Sequence, residues 1–463
     1  MNERFDAILV GSGQAADTLA GELAKAGKKS VIIETKHVGG TCVNEGCTPT
    51  KTMVASGRVA YLARRGADYG VSTGPISIDL TKVRERKREV VENSRSRNEK
   101  RLSTTKNLEL IYGFAHFIGP KTLQIDLRAG GTRTLEGDWI FLNTGLRAAI
   151  PKIDGIHDIP SLNNESIMEL DTVPDHLIVL GGGYVGLEFG QMFRRFGSQV
   201  TIIHHGKQLL NQEDADVAEE VKKILTEDGI EILLETETTT ARKAANSIEF
   251  NVKRGGEART VTGSHLLIAA GRIPNTDGLN LSATGVAVDQ HGYVKVNEYL
   301  ETAASGIYAL GDVKGGPAFT HISYDDYRVV AGNLLNGQHR SIRDRILPYT
   351  VFIDPQLGRI GLTESEARKL GKKIRVAKMP MTSVARAIET DETRGFIKII
   401  VDSETELILG AAVLGIEGGE IASIVQIAME GGLKYTALRD GIFSHPTLAE
   451  SLNNVFFSWT DES

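Results

Sequence analysis

The chain has 463 residues, enough for about three domains of ordinary size, which excludes a miniprotein stapled by disulfides. Lys plus Arg number 53 against 59 Asp plus Glu, a formal charge of −6, so nothing global draws the chain to nucleic acid or to an anionic membrane surface. No apolar run approaches the ~20 residues that cross a bilayer, and the first one, Ala7–Val10, begins almost at once. The expectation is a cytoplasmic protein without a signal peptide and with neither nucleic acid nor membrane as partner. Two features stand out: Gly accounts for 50 residues, about 11% against a usual ~7%, and the only cysteines are Cys42 and Cys47. Both point to closely approached nucleotides and redox chemistry.

In chain order, FDAILVGSGQAADTLAGELAKAGKKSVIIET predicts a short buried strand, a Gly-rich turn, a helix ending at Gly27 and a second strand finishing at Glu34. In this βαβ unit Gly11 permits the tight turn, and Gly13 lets backbone N–H groups approach a pyrophosphate at the helix N-terminus. Ala16 keeps helix and strand close, and Glu34 can accept hydrogen bonds from a ribose. The glycine pattern alone is weak; strand before, helix after and acid at this distance make it a dinucleotide site rather than an ordinary helix cap.

The next segment, GGTCVNEGCTPTK (residues 39–51), holds both cysteines as C-x4-C. Four intervening residues place them on adjacent turns of a helix start, near enough to close a small disulfide ring. Structural zinc needs four ligands, and a structural disulfide is disfavoured in a reducing cytosol. Two inert thiols would be the default for an isolated pair. The dinucleotide site just upstream and a helix dipole that lowers thiol pKa favour a catalytic dithiol instead. Lys82–Arg101 follows, with nine basic and four acidic residues, Glu85, Glu89 and Glu92 falling at helical spacing. It lacks aromatic residues for base stacking and is read as a solvated helix face.

Ile140–Thr144 reads as a strand closing the first nucleotide unit at Gly145. A second βαβ copy spans residues 176–206, with Gly181, Gly183 and Gly186 in the three glycine roles and His204 where the first copy has Glu34. An acid there would pair with a free 2′-hydroxyl and repel a 2′-phosphate, whereas His204, His205 and Lys207 offer neutral or cationic donors. This favours NADPH, with NADH as the alternative. Leu266–Ala270 is the closing strand of this copy and ends at Gly271. From Pro348 a third, α+β module is expected, with strands Gly395–Val401 and Leu409–Ile416 and a helix Glu420–Glu430. No low-complexity linker separates the modules, so tight packing and sites between domains are expected. Two dinucleotide sites imply a relay: a nicotinamide delivers hydride, a flavin receives it, and the dithiol accepts from the flavin.

These residues resemble the flavin disulfide reductases, the pyridine nucleotide-disulfide oxidoreductase group of dihydrolipoamide dehydrogenase, glutathione reductase and mercuric reductase. The matching marks are the first glycine fingerprint, GGTC-x4-C-x3-K, the second fingerprint with Glu188, GIYALGD at 306–312 and HPTLAE at 445–450. The resemblance implies that Asp312 holds the flavin ribityl chain, that Cys47 lies against the flavin, and that Cys42 meets the substrate. It also implies a Lys51–Glu188 ion pair beside the ring, and His445, oriented by Glu450, serving as acid and base from the partner subunit of a homodimer. Tyr184 stands where glutathione reductase covers its flavin with a tyrosine; an interface aromatic is the other reading. Gly40, Thr41, Lys51, Thr144, Gly145, Gly271 and Gly311 complete the cofactor-binding candidates, and no metal-ligating set is expected.

The implied fold class is α/β, with two Rossmann-like dinucleotide-binding domains for FAD and NAD(P) and a C-terminal α+β dimerisation domain. The expected boundaries are 1–150 and 275–346 for FAD, 151–274 for NAD(P) and 347–463 for dimerisation. Likeness is greatest to mercuric reductase-like proteins, in QMFRRFGSQVT and SHPTLAESLNNVF. The chain departs from them in ending FFSWTDES, without a C-terminal cysteine pair, and in having His445 where they usually have Tyr; the tail also resembles the copper-reducing, reactive-chlorine resistance reductases. Glu45 and Thr48 put polar groups beside the cysteines where dihydrolipoamide dehydrogenase and glutathione reductase have apolar ones, which favours a cationic acceptor. The expected function is electron transfer from NADPH through FAD and Cys42–Cys47 to a metal ion, quinone or small disulfide. The alternatives are an NAD-linked dihydrolipoamide dehydrogenase and a redox sensor without turnover. The set Lys51, Glu188, His445 and Glu450 argues against the sensor, which has no use for a hydride path and a base.

Overall fold

The computed structural model describes residues 2–245 and 247–460. The chain divides into two compact units, one of Met1–Met53, Thr81–Ala149 and Gly271–Arg345, the other of Val54–Leu80, Ile150–Ala270 and Ile346–Ser463.

The first unit is built on a parallel sheet. Glu3–Val10 lies between Ser30–Glu34 and Thr132–Leu142, with Leu108–Gly119 beyond the former and Ile307–Ala309 beyond the latter. Thr122–Leu127 closes it antiparallel to the outer halves of Leu108–Gly119 and Thr132–Leu142. All five residues of Ser30–Glu34 are buried, as expected of a strand covered on both faces. The helix Gln14–Lys25 buries Ala15, Ala16, Leu19, Ala20 and Leu23. Gly27 ends it at φ 81°, where the N–H groups of Gly27 and Lys28 reach the carbonyls of Ala24 and Leu23. The glycine turns and Thr144 thus collect at the carboxyl ends of the parallel strands, where open α/β sheets bind ligands.

The basic segment departs from its sequence reading. It forms the helix Leu80–Thr104, yet Lys87 is buried, and three of its arginines bind the unit's own chain rather than solvent alone. Arg86 donates to the Thr52 carbonyl (2.9 Å), Arg95 to Asn44 Oδ1 (2.9 Å) and Arg101 to the Asp17 carboxylate. Asn44 lies between the two cysteines, so this helix braces the redox segment.

In the second unit a parallel sheet runs in the order His265–Ile268, His176–Leu180, Gln199–Ile203, Glu231–Leu233, with the crossover helix Tyr184–Phe196. An antiparallel three-stranded sheet, Glu237–Lys243, Ile248–Arg254 and Glu257–Gly263, extends this module. The third module is a five-stranded antiparallel sheet carrying the helix Gly418–Glu430. That helix sits so close that a Cβ on Gly358 would overlap the Gly418 carbonyl. Buried ion pairs join the modules within this unit: Arg359 with Glu213, and Lys398 with Asp214 at 3.3 Å.

Candidate active site

Gly11, at φ 90°, makes the first turn, and a Cβ there would meet the Asn143 carbonyl at 2.5 Å. Gly13 must lack a side chain for a second reason, unforeseen in the sequence: its Cβ would lie 2.5 Å from Asn143 Oδ1. That oxygen accepts the Ala16 N–H (3.2 Å), and Asn143 Nδ2 donates to the Leu310 carbonyl (2.7 Å). One buried amide therefore ties the fingerprint helix to two strand ends. Gly40 passes so near Gly13 that its Cβ would stand 2.8 Å from the Gly13 Cα. Glu34 accepts from the Ser12 N–H (3.0 Å), the Ser12 hydroxyl (2.6 Å) and the Lys36 N–H (2.8 Å), fixing the carboxylate at the strand end. Thr144 donates its hydroxyl to the Asn275 carbonyl (2.9 Å), and Gly145 follows at φ 67°, where an added Cβ would find open space.

Gly311, at φ 67°, donates its N–H to Asp326 (2.7 Å), a fully buried carboxylate that also meets Lys314 (3.3 Å) and Arg345 (2.7 Å). Beside it burial pushes the Asp312 carboxyl above the ordinary aspartate value, opposed by Arg272 at 3.7 Å. Asn143 and Asp326 are functional supports that the motif reading missed; the only signal was a polar residue ending an apolar strand (IFLNTG) and a paired acid in the helix after GIYALGD.

The redox segment also differs from expectation. Cys42 lies in a short helix, Gly40–Asn44, and Cys47 opens a separate one, Cys47–Arg64. The break falls at Glu45, whose φ of −140° is not helical, and at Gly46, where a Cβ would meet the Thr41 carbonyl at 2.9 Å. Cys47 is exposed, Cys42 half-buried and Thr41 exposed. A hydrogen bond to Cys47, reinforced by burial, pushes the Cys42 thiol far above the usual cysteine value. Cys47 instead heads an 18-residue helix, whose dipole favours a thiolate. Thr320 Oγ1 lies 3.2 Å from Cys47 Sγ, a partner 273 residues away that no motif announced. Glu45 is less open to a cation than its sequence position implied, because Lys36 Nζ lies 3.6 Å from it. Lys51 is half-buried on the same helix as Cys47.

In the second unit the glycine turn repeats. A Cβ on Gly181 would overlap the Ala269 carbonyl and one on Gly186 the Gly181 carbonyl, while Gly183 is open on that side. Gly271, where the chain returns to the first unit, is likewise open. Tyr184 is the first residue of the helix Tyr184–Phe196, half-buried. Glu188, one turn on, is buried and accepts the Phe352 N–H at 2.9 Å. His204 is buried as well. Its Nδ1 accepts the Gly182 N–H (3.2 Å) and its Nε2 faces Asn211 Oδ1 (3.3 Å). Burial holds its pKa below the ordinary histidine value, so His204 is a neutral acceptor toward the turn and not a cationic donor. His205, its ring centroid 4.9 Å away, and Lys207 are exposed. Near the C-terminus His445 is exposed, with Nδ1 2.8 Å from a Glu450 carboxylate oxygen.

The pyridine nucleotide-disulphide oxidoreductase family model matches residues 5–326, and its dimerisation-domain model matches residues 347–456. The chain belongs to the pyridine nucleotide-disulphide oxidoreductase family. It is 38% identical over 98% of its length to 99% of the probable pyridine nucleotide-disulfide oxidoreductase RclA of Escherichia coli. A mercuric reductase of Bacillus cereus is 32% identical over 97% of this chain and 71% of that protein, and a dihydrolipoyl dehydrogenase of Thermus scotoductus 31% over 97% and 96%. Among solved structures, the Cu(II) complex of the HOCl-induced flavoprotein disulfide reductase RclA from Escherichia coli superposes with a TM-score of 0.90 at 38% identity, covering 99% of both chains.

The chain is therefore a flavoprotein disulfide reductase, an oxidoreductase using FAD and NAD(P)H, with a C-terminal dimerisation domain that supports a homodimer. The residues present fit these cofactors: both glycine turns bring bare backbone to a helix N-terminus, and the Gly145, Gly183 and Gly271 faces admit a ligand where a side chain would intrude. FAD would supply two-electron acceptance from a nicotinamide and delivery to a disulfide; the protein supplies the glycine turns and the paired cysteines. No described helix is long and apolar enough to cross a membrane.

Proposed function

We propose that this reductase takes hydride from NADPH and passes the electron pair through FAD and Cys42–Cys47 to a thiophilic metal cation, with copper(II) as the first candidate. The observation that carries this reading is the thiol pair: Cys47 exposed at a helix N-terminus, Cys42 hydrogen-bonded to it, and Thr320 within 3.2 Å of Cys47 Sγ. Two adjacent sulfurs are a ligand set for soft cations. The likeness to RclA, solved as a Cu(II) complex, supports the same choice. The stoichiometry balances as one NADPH and two Cu(II) giving NADP⁺, two Cu(I) and one proton.

In this reading Cys47 lies against the flavin, Cys42 meets the acceptor, and Asp312 and Glu34 hold the ribityl chain and the ribose. Lys51 pairs with Glu188 beside the ring, and Tyr184 covers it until nicotinamide arrives. His445 of the partner subunit serves the thiols in a cytoplasmic homodimer, residues 1–150 and 275–346 bind FAD, and 151–274 bind the coenzyme. The test is an acceptor screen with NADPH or NADH against cupric ion, mercuric ion, lipoamide, glutathione disulfide and quinones. The reading stands if a metal ion gives the highest kcat/KM and both Cys→Ser variants lose that activity.

One observation favours a second reading, reduction of a small disulfide. The 2.8 Å His445–Glu450 contact is an acid–base arrangement that disulfide chemistry requires and metal reduction does not.

A further inference from the structure

In the second unit a cavity of about 600 Å³ lies where three helices end: Cys47–Arg64, Tyr184–Phe196 and Ala215–Glu227. Its size is that of a metabolite site. Its walls include five arginines, Arg64, Arg65, Arg194, Arg195 and Arg394, around Tyr61. Three of the five are neutralised. Arg65 meets Asp391 and Asp68, Arg195 meets Asp354 and Asp228, and Arg394 meets Asp228 and Glu392. The wall carboxylates Asp228, Asp391 and Glu392 are thereby occupied, and Glu227 is exposed at the edge.

Arg64 and Arg194 are different. Among the described residues neither has a carboxylate within ion-pair distance. Arg64 is exposed and donates only to the Arg195 carbonyl, and Arg194 donates to the carbonyls of Asp228 (3.0 Å) and Ser198 (3.3 Å). A guanidinium has five N–H donors, so each is anchored by backbone contacts with most donors uncommitted. Arg195 forms the wall between them: its side chain is 5% exposed and its guanidinium lies 4.0 Å over the Tyr61 ring.

We propose that this cavity is a binding site for a small polyanion, whose phosphate or carboxylate oxygens are read by the forks of Arg64 and Arg194. Pre-anchored guanidinium groups suit such planar, multidentate recognition. The occupant is distinct from the coenzyme, because the exposed donors at His205 and Lys207 belong to the glycine turn of the other sheet end.

The test is calorimetric titration of the FAD-loaded dimer with inorganic pyrophosphate and, separately, with citrate, at low ionic strength and with NADP⁺ saturating the coenzyme site. One site per chain is expected for at least one of the two anions, weakening as salt is raised. Arg64→Gln should weaken it several-fold and Arg64→Gln/Arg194→Gln at least tenfold, with NADPH oxidation unchanged in the absence of the anion. Binding of pyrophosphate alone would identify a phosphate site, and of citrate alone a carboxylate site. Because Arg194 also holds two carbonyls, the exposed Arg64→Gln single variant guards against a folding defect. Binding of neither anion, or binding lost in Lys207→Ala but kept in Arg64→Gln, would overturn the proposal.

Discussion

His204 Nδ1 accepts the Gly182 N–H at 3.2 Å in the same position in which Glu34 accepts the Ser12 N–H at 3.0 Å in the first copy. The imidazole thus replaces a carboxylate as the clamp on the glycine turn, and it does so only when neutral. In the proposed reading, coenzyme choice rests on the charge missing at His204 and the donors offered by His205 and Lys207. We expect kcat/KM to favour NADPH. His204→Glu restores an acceptor for the Gly182 N–H and adds a charge that repels a 2′-phosphate, so it should shift preference toward NADH by tenfold or more, one charge-assisted contact being worth ~1.5–3 kcal/mol. Lys207→Ala should lower kcat/KM for NADPH and leave that for NADH nearly unchanged. A wild-type preference for NADH would refute this account.

Burial lowers the pKa of His176, His204 and His265, all in the coenzyme-type module. For such groups the unfolded chain binds more protons once pH falls below the free histidine value of about 6.5, so folding stability falls with pH there. Carboxylates held low, such as Asp214 and Glu364, act only at more acidic pH. Asp17 and Asp312, raised by burial, act in the opposite sense, so the informative quantity is a difference between proteins. We expect the drop in Tm between pH 7.5 and 5.5 to be smaller in His176→Gln/His265→Gln than in wild type. Equal drops would remove the histidines as its cause.

The Thr320 hydroxyl at 3.2 Å from Cys47 can donate to a thiolate there. A hydrogen bond to a charged group is worth ~1.5–3 kcal/mol, or about one to two pKa units. Two-electron reduction should give a long-wavelength thiolate-to-flavin charge-transfer band. In Thr320→Val the band should titrate in at a pH one to two units higher, and Thr320→Ser should restore it. Cys47→Ser should abolish the band, and Cys42→Ser should show it without added reductant.

The fingerprints, the C-x4-C segment and the order of modules were legible because each follows from local chain geometry: a strand period, a glycine where φ is positive, a helix that stops at Gly27. Asn143, Thr320 and Asp326 were not, since each acts on residues distant in the chain, Asn143 on Ala16 and Thr320 on Cys47. The single helix start expected for both cysteines failed because Glu45 and Gly46 break it, and spacing alone does not reveal a break between a short helix and the long one that follows. The buried state of His204 was equally hidden: its chemistry changed from donor to acceptor once Gly182 was seen against it. Gly13 makes the same point and can be tested. Gly13→Ala should lose flavin, and Asn143→Gly in that background should recover part of the loss, because the clash is with Asn143 Oδ1.

The acceptor is decided through His445. Its Nδ1 is held by Glu450, which leaves Nε2 to exchange a proton. A disulfide acceptor needs a base to activate Cys42 and an acid to protonate the leaving thiolate, so His445→Ala should cost that activity ~10²–10⁴-fold. A metal ion held by two thiolates leaves after electron transfer with no sulfur to protonate, and a quinone can draw electrons directly from the flavin. If a metal is the acceptor, His445→Ala should keep most of that activity while losing reduction of lipoamide or glutathione disulfide. Glu450→Gln should give a milder loss of disulfide reduction, since the imidazole remains but the carboxylate that orients it is gone. The Cys→Ser variants divide the remaining cases: reduction of a thiol-bound metal should vanish in both, and direct transfer to a quinone should survive. If His445→Ala destroys every activity equally while the protein stays folded, dimeric and flavin-loaded, the metal reading falls and a small disulfide becomes the acceptor.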